Sequence, residues 1–388
     1  MKILFPYMAR WYAVNWTRYH SLLTVLADKG HEVIVLQPPR LVSEETNYQE
    51  IDPVSHRNID LVDVDIPAWL WSMKMPLEKL AKKAIFSIYA YRHATRLMAS
   101  ENPDVLLLYN IPQYQFTRMK NINIVFDYAD DYVNMLEIEL GRARNPAMSW
   151  LAGRMLRKMM KSARYTLCVS HKLSSSAHGT VRVLANGVSE GVMVEPDTPC
   201  SLLALDGRRP VVGFLGAFEY FIDLDLILDA AADMPDIDFL LVGSGREWSR
   251  IHDQVGRRSL DNVRLVGGVP HSEVFEYIRK MDICLNIFKR IPVSHRACPI
   301  KLFEYMSQMK PVISTRLEEL EHVDSGFLYY ADSARELRDA IHAILEDPGL
   351  AQQRARAGFE LTREKYTWER LGDEFVGLLQ APEQGVSH

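Results

Sequence analysis

The sequence predicts an α/β chain built from two doubly wound domains, each a parallel sheet with helices on both faces. Three observations lead there. The chain has 388 residues, more than a single hydrophobic core usually organises. Strand-like and helix-like patterns alternate through both halves. A stretch without either period and punctuated by Pro and Gly, residues 194–210, separates the two series.

In the first series KILFPY, from Lys2 to Tyr7, reads as a buried strand, followed by a helix containing RYHSLLTVLADKG. Gly30 stands where a helix C-cap belongs, and His31 to Leu36 form the next strand. Residues 40–58 are polar and aperiodic, either a plain connection or a surface loop that reaches an acceptor. A strand is expected near 61–66, then a helix from Pro76 to Ser100, with Pro76 suited to a first helical position. DVLLLY (104–109), NIVFDY (123–128) and TLCVS (166–170) supply further strands, the last closing the series.

The second series runs PVVGFLG, a helix from about Asp223, IDFLLVGSG, a helix, NVRLVGG, a helix, DICLNIF, a helix from about Ile300, and KPVIST. Residues 333–379 are helical by pattern, with Tyr366, Trp368, Leu371 and Phe375 as an apolar cluster. The expected units are residues 1–200 and 205–371, with a helix over about 372–388 crossing back to the first.

Composition narrows the function classes. With 48% hydrophobic and 24% charged residues, the chain is an ordinary globular protein. Its formal net charge of −5 argues against a nucleic-acid binder that works by neutralising phosphates. Cys168, Cys200, Cys284 and Cys298 have neither CxxC spacing nor the density of a disulfide scaffold, and read as reduced. No signal peptide or membrane-length apolar run is evident, so a cytoplasmic protein, peripheral on a membrane's inner face, is expected. No metal-ligand spacing occurs.

In a doubly wound sheet, ligands bind at the carboxyl ends of strands, where glycine admits a close backbone and a helix N-terminus favours phosphate. Three such loops occur in the second half: GFLGAF with Gly216, Ala217 and Phe218; GSGR with Gly243, Ser244, Gly245 and Arg246; and GGV with Gly268 and Val269. One alone is as often a tight turn. Three in series suggest a nucleotide diphosphate pocket.

The segment PIKLFEYMSQMKPVIST, from Pro299 to Thr315, resembles the signature of the retaining GT-B glycosyltransferases, through Pro299, Lys301, Glu304, Tyr305 and the Pro311 to Thr315 run. The resemblance continues through VVGFLG, FLLVGSG, NVRLVGGVPHSEVFEYIRKMDICLNIF and YTWERL, and is weaker in the first half. It implies two Rossmann-like domains of GT-B type and a UDP- or GDP-linked sugar as donor substrate, with no cofactor. Glu304 would accept hydrogen bonds from the ribose hydroxyls. Lys301, beside Ile300 and Leu302 at the same helix start, would face the diphosphate leaving group. Lys289 and Arg290 are further cations at a strand end, with solvated charges as the alternative. The pattern departs in two places. Arg296 replaces a glutamate common eight positions before the ribose-binding one, and GAFEYFIDLDL replaces a familiar Arg and Lys pair.

In the first half, VFDYADDYVNM places Asp127, Asp130 and Asp131 at the end of a strand on the expected cleft side. One could orient the acceptor hydroxyl or take its proton, the alternative being a helix cap with solvated neighbours. Arg18 and His20 are candidates for a phosphate or acceptor role, or for simple solvation. Lys74, Lys79, Lys82, Lys83, Arg92 and Arg96 crowd one helix, and Arg154 to Arg164 a second, both with an apolar face. On an acidic protein these suggest an anionic membrane surface and a glycan or lipid-linked acceptor. The alternative readings are a nucleotide-sugar 2-epimerase of the same fold and a catalytically silent nucleotide-sugar-binding subunit.

Overall fold

The computed structural model describes residues 1–12, 16–40, 56–75, 77–141, 145–199 and 207–381. The first sheet has β1 (Lys2–Pro6), β2 (Glu32–Gln37), β3 (Ile59–Asp63), β4 (Val105–Leu108), β5 (Asn123–Tyr128), β6 (Tyr165–Cys168) and β7 (Val181–Val183), in the order β3-β2-β1-β4-β5-β6-β7. The second has β8 (Val211–Leu215), β9 (Asp238–Val242), β10 (Val263–Gly267), β11 (Ile283–Asn286), β12 (Val312–Ser314) and β13 (Tyr329–Tyr330), in the order β10-β9-β8-β11-β12-β13. Every pairing within these sheets is parallel. Both orders reverse beside the first strand of the domain, which opens a crevice at the carboxyl ends.

Period-2 side-chain geometry divides the first sheet into two buried faces. Ile3, Phe5, Val33, Val35, Val105 and Leu107 pack with the helix Arg18–Asp28 and with Trp368, Leu371 and Phe375 of the last helix. Leu4, Ile34, Leu36, Leu106, Leu108 and Phe126 face the other way, toward the helices Glu78–Ser100 and Pro146–Ser162. The last helix, Trp368–Gln380, therefore belongs to the core of the first domain although it follows the second in sequence. Gly372 makes this possible, because a Cβ there would already stand 3.0 Å from Val25 Cγ1.

Several expectations are corrected in detail. The third strand lies at 59–63, and TLCVS does not close the series, since β7 adds an edge strand beyond it. The long helix starts at Glu78, entered through Leu77 in a left-handed conformation; Pro76 lies outside the described residues. So do 41–55 of the polar loop, 200–206 of the interdomain segment with Cys200, and 382–388. The final helix begins at Trp368, before 372.

The chain passes between the domains twice, and the two passages run side by side. Val188 bridges to Thr367, with Val188 N donating to Tyr366 O at 2.9 Å and Trp368 N to Val188 O at 3.0 Å. Gly187 is the point of closest approach. A Cβ there would lie 2.5 Å from Tyr366 O, a main-chain atom that cannot swing aside. Gly187→Ala is expected to destabilise the protein by about 1–3 kcal/mol, the usual cost of overpacking, measured as a lowered urea midpoint. An unchanged midpoint would show that the crossing has slack.

Candidate active site

In the second domain the three glycine loops are laced together by main-chain bonds. Gly216 N donates to Val242 O at 2.9 Å, Phe218 N to Ser244 O at 2.9 Å, and Gly243 N to Gly267 O at 2.7 Å. Gly216, Gly243 and Gly245 have φ of 139°, 142° and 154°, a region that favours glycine. A Cβ on Gly243 would fall 1.9 Å from Gly216 O. On Gly245 it would fall 2.7 Å from Phe218 O, and on Gly216 it would stand 2.7 Å from Lys301 Nζ.

Lys301 and Glu304 lie one turn apart in the helix Ile300–Ser307, which opens after Pro299. The ammonium sits over the Phe214 ring at 4.0 Å and the Phe288 ring at 5.4 Å, a cation–π arrangement. Burial brings the Lys301 amine down to about 7, partly opposed by the charge of Glu304. Burial likewise raises the Glu304 carboxyl to about 7, with Lys301 pulling it back. Among the described residues neither side chain makes an ion pair or hydrogen bond, so in this low-dielectric site each is compensated only in part, by the other's charge. Ile300 and Glu304 line a cavity of about 130 Å³ between the domains.

The roof of that cavity was not anticipated. Trp16, from the first domain, stacks parallel on His271, from the second, with ring centroids 4.8 Å apart. Both line the cavity with Glu304. The sequence offered one weak signal, an aromatic-rich run ending at Trp16, and nothing that tied it to a histidine so far along the chain.

Other expected donor residues are placed differently. The Phe218 and Leu302 side chains are fully buried, so at most their main chain can meet a ligand. Arg246 pairs with Glu219 at 3.2 Å and Arg290 with Asp332 at 3.4 Å, which draws both toward local carboxylates. Ala217, Ser244, Val269 and Lys289 are partly exposed, and Gly268 is exposed. Arg296 leaves its own domain and pairs with Asp131 of the other.

The three aspartates separate into three roles. Asp127 is buried against Arg18, with Arg18 Nε 2.9 Å from its Oδ2 and Nη2 3.0 Å from its Oδ1. Arg18 also donates to Asn186 Oδ1 at 2.7 Å, and Asn186 donates to Cys298 O at 2.6 Å. Asp131 caps the helix Tyr132–Leu140 besides receiving Arg296. Asp130 is exposed at the edge of a cavity, where neighbouring protein and then Asp127 push its carboxyl up to about 7. Of the three it is the one open to a ligand.

The expectation for Arg18 and His20 is corrected too, since neither is solvated nor open to a ligand. His20 Nδ1 accepts from Thr17 N at 3.0 Å, which leaves the proton on Nε2 to donate to Trp11 O at 2.7 Å. Burial lowers this imidazole to about 4, so it is a neutral fixture of the helix start.

Comparison with known proteins agrees with this architecture. Residues 225–377 match the glycosyl transferase-like family. A teichuronic acid biosynthesis glycosyltransferase, TuaH, provisionally so assigned in Bacillus subtilis (strain 168), is 30% identical over 150 residues. That match spans 38% of this chain and 38% of the relative. Among solved structures, sucrose-phosphate synthase from Thermosynechococcus elongatus is similar with a TM-score of 0.77 at 18% identity, covering 97% of this chain and 98% of that one. Anabaena HepE in complex with UDP-glucose gives a TM-score of 0.70 at 14% identity, covering 98% and 99%.

The Lys301 and Glu304 pair yields a signed pH dependence. Phosphate would favour the ammonium and raise Lys301 above its free value, so that contribution is present below about 7 and fades as pH rises. Ribose hydroxyls would favour the carboxylate and lower Glu304, so that contribution is present above about 7 and fades as pH falls. Affinity for UDP or GDP, followed by calorimetry across this range, should therefore be greatest near neutrality. Lys301→Met should remove the alkaline limb. Glu304→Gln should remove the acid limb and weaken binding by about 1–3 kcal/mol. A flat profile would take both groups out of the nucleotide site.

Proposed function

We propose that this chain, whose fold is GT-B and whose residues 225–377 belong to the glycosyl transferase-like family, transfers a sugar from a nucleotide-sugar donor to a hydroxyl of a glycan or lipid-linked acceptor. One observation carries the reading. Lys301 and Glu304 lie in the interdomain cleft beside the Gly216 loop, with their charges held near the point of titration by burial. A diphosphate supplies the negative charge that this ammonium lacks, and a ribose supplies the donors that this carboxylate lacks. The UDP-glucose complex of a structural neighbour and the family match support a nucleotide-sugar donor.

In this reading the second domain holds the nucleotide and the first presents the acceptor. Lys301 and the helix start behind it stabilise charge on the departing nucleotide. The Asp130 carboxylate orients the acceptor hydroxyl or accepts its proton. Retention of anomeric configuration and independence of metal belong to the same proposal, as does a role in cell-surface polysaccharide or glycolipid assembly. Among the described residues no helix is long and apolar enough to cross a membrane. The helices Glu78–Ser100 and Pro146–Ser162 would rest on an anionic membrane surface, with cations at the headgroups and exposed Leu77, Trp150 and Leu151 below them.

Incubation with a panel of UDP- and GDP-sugars and a membrane extract should give a glycosylated product and free nucleotide. No turnover of any donor would defeat the reading. Turnover should survive EDTA, and a loss restored by a divalent ion would overturn the metal-independent part. Asp130→Asn should lower turnover about 10²–10⁴-fold, the range for a positioned base, while UDP or GDP affinity stays close to wild type. An equal loss of nucleotide affinity would move Asp130 to the donor side.

A further inference from the structure

A second, larger cavity opens at the carboxyl edge of the first sheet, at the end that carries Asp130. Its volume of about 540 Å³ falls within the roughly 300–1,000 Å³ of small-molecule sites. Its walls are apolar, from Leu80 and Ala84 on the helix Glu78–Ser100 and from Met148, Leu151 and Met155 on the helix Pro146–Ser162. Among the described residues that bound it, Asp130 and Lys83 are the charged ones. Lys83 is close enough for its charge to act on Asp130.

The floor and the mouth differ in character. Tyr19 and Tyr132 are buried at the floor, where their hydroxyls approach each other and Asp127 without a well-directed hydrogen bond. Buried hydroxyls in that condition favour a ligand that brings a polar group to them. Met148 and Leu151 of the cavity wall are exposed, as are Leu77 and Trp150 of the same two helical segments. Basic side chains are interleaved with them, and Arg154 lies over the Trp150 ring at 5.9 Å. The pair Arg296 and Asp131 sets the Asp130 end against the donor domain.

We propose that this cavity is the acceptor subsite and that its occupant is a lipid phosphate carrying the hydroxyl to be glycosylated. This rests on the glycosyltransferase reading and narrows its acceptor. The first carbons of the chain lie along Leu80, Ala84 and Met155, continuous with the exposed apolar mouth. The phosphate lies toward Lys83 and the basic side chains of the two helices. The polar head reaches the tyrosine hydroxyls, with its free hydroxyl at Asp130. A wholly polar glycan fits poorly, because these walls would bury its hydroxyls without partners. A neutral lipid would leave the surrounding cations unused.

The test is calorimetric titration of the full chain with dodecyl phosphate, with dodecyl maltoside and with inorganic phosphate, each alkyl probe below its micelle concentration. Dodecyl phosphate should bind about ten-fold or more tighter than either comparison ligand, since it alone has both chain and charge. Ala84→Trp, at an exposed wall position that can accept a larger side chain, should weaken it about ten-fold. Met155→Glu, on the opposite wall, should do the same, so the result does not depend on one variant. Lys83→Ala should remove the preference for dodecyl phosphate over dodecyl maltoside. An unchanged thermal midpoint and unchanged UDP affinity show that each variant is folded with its donor site intact. Binding of dodecyl phosphate that ignores both wall variants would reveal adsorption to the exposed face and overturn the proposal. Equal binding of inorganic phosphate would overturn it as well. Failure of UDP to bind the wild-type protein would strike the donor reading instead, and the alkyl phosphate results would still decide the cavity.

Discussion

The buried contact between Arg18 and Asp127 ties together parts of the molecule that otherwise have little reason to stay in register. Arg18 opens the first long helix, Asp127 ends β5, and the same guanidinium reaches Asn186 on the passage between domains, which in turn holds the carbonyl of Cys298. Cys298 immediately precedes the Pro299 turn and the helix that carries Lys301. Desolvation of two charges is expensive, and their attraction repays it only when further hydrogen bonds complete the set. Here Arg18 also donates to Leu184 O at 3.2 Å, but its Nε and Asp127 Oδ2 face each other without a directed hydrogen bond and burial still raises the Asp127 carboxyl. The pair is thus better understood as a fixer of geometry than as a source of net stability. It positions the end of β5 and the helix Ile300–Ser307 against one another.

The two sides of the cleft then use burial in the same manner. Lys301 is drawn down and Glu304 and Asp130 are drawn up, all to about 7, because each sits among protein atoms with too little opposite charge nearby. Nearby groups are partnered more closely. Asp131 has Arg296, Asp127 is raised by burial but opposed by Arg18, and His20 is kept neutral by burial with both ring nitrogens engaged. The undercompensated charges are concentrated where a ligand would enter, which is a common property of functional sites.

The fold was legible because its strands are strongly apolar and its turns are marked by Gly and Pro. What escaped were short or late elements: β7, of three residues, and the start of the final helix at Trp368. Lys301 and Glu304 were singled out by the resemblance of the Pro299 to Thr315 segment, and a spacing of one helical turn places them together. Contacts that depend on distant partners could not. Nothing in VFDYADDYVNM tells which aspartate meets Arg18, which caps a helix and receives Arg296, and which remains open to solvent. Local pattern reports that Arg18 begins a helix, but not that the sheet buries its guanidinium. The same limit applies to Trp16 and His271, which meet only because the two domains close on each other.

The lacing of the glycine loops bears on protein engineering. An added methyl on Gly243 would strike the Gly216 carbonyl and one on Gly245 the Phe218 main chain, while Gly216 leaves the space filled by the Lys301 amine. The loops therefore behave as a single cast piece. Exchanging one loop for that of a relative would import a backbone path shaped for different neighbours. A productive graft would have to carry the laced loops and the Lys301 turn together, leaving the more exposed Ser244 and Val269 side chains as the positions open to individual variation.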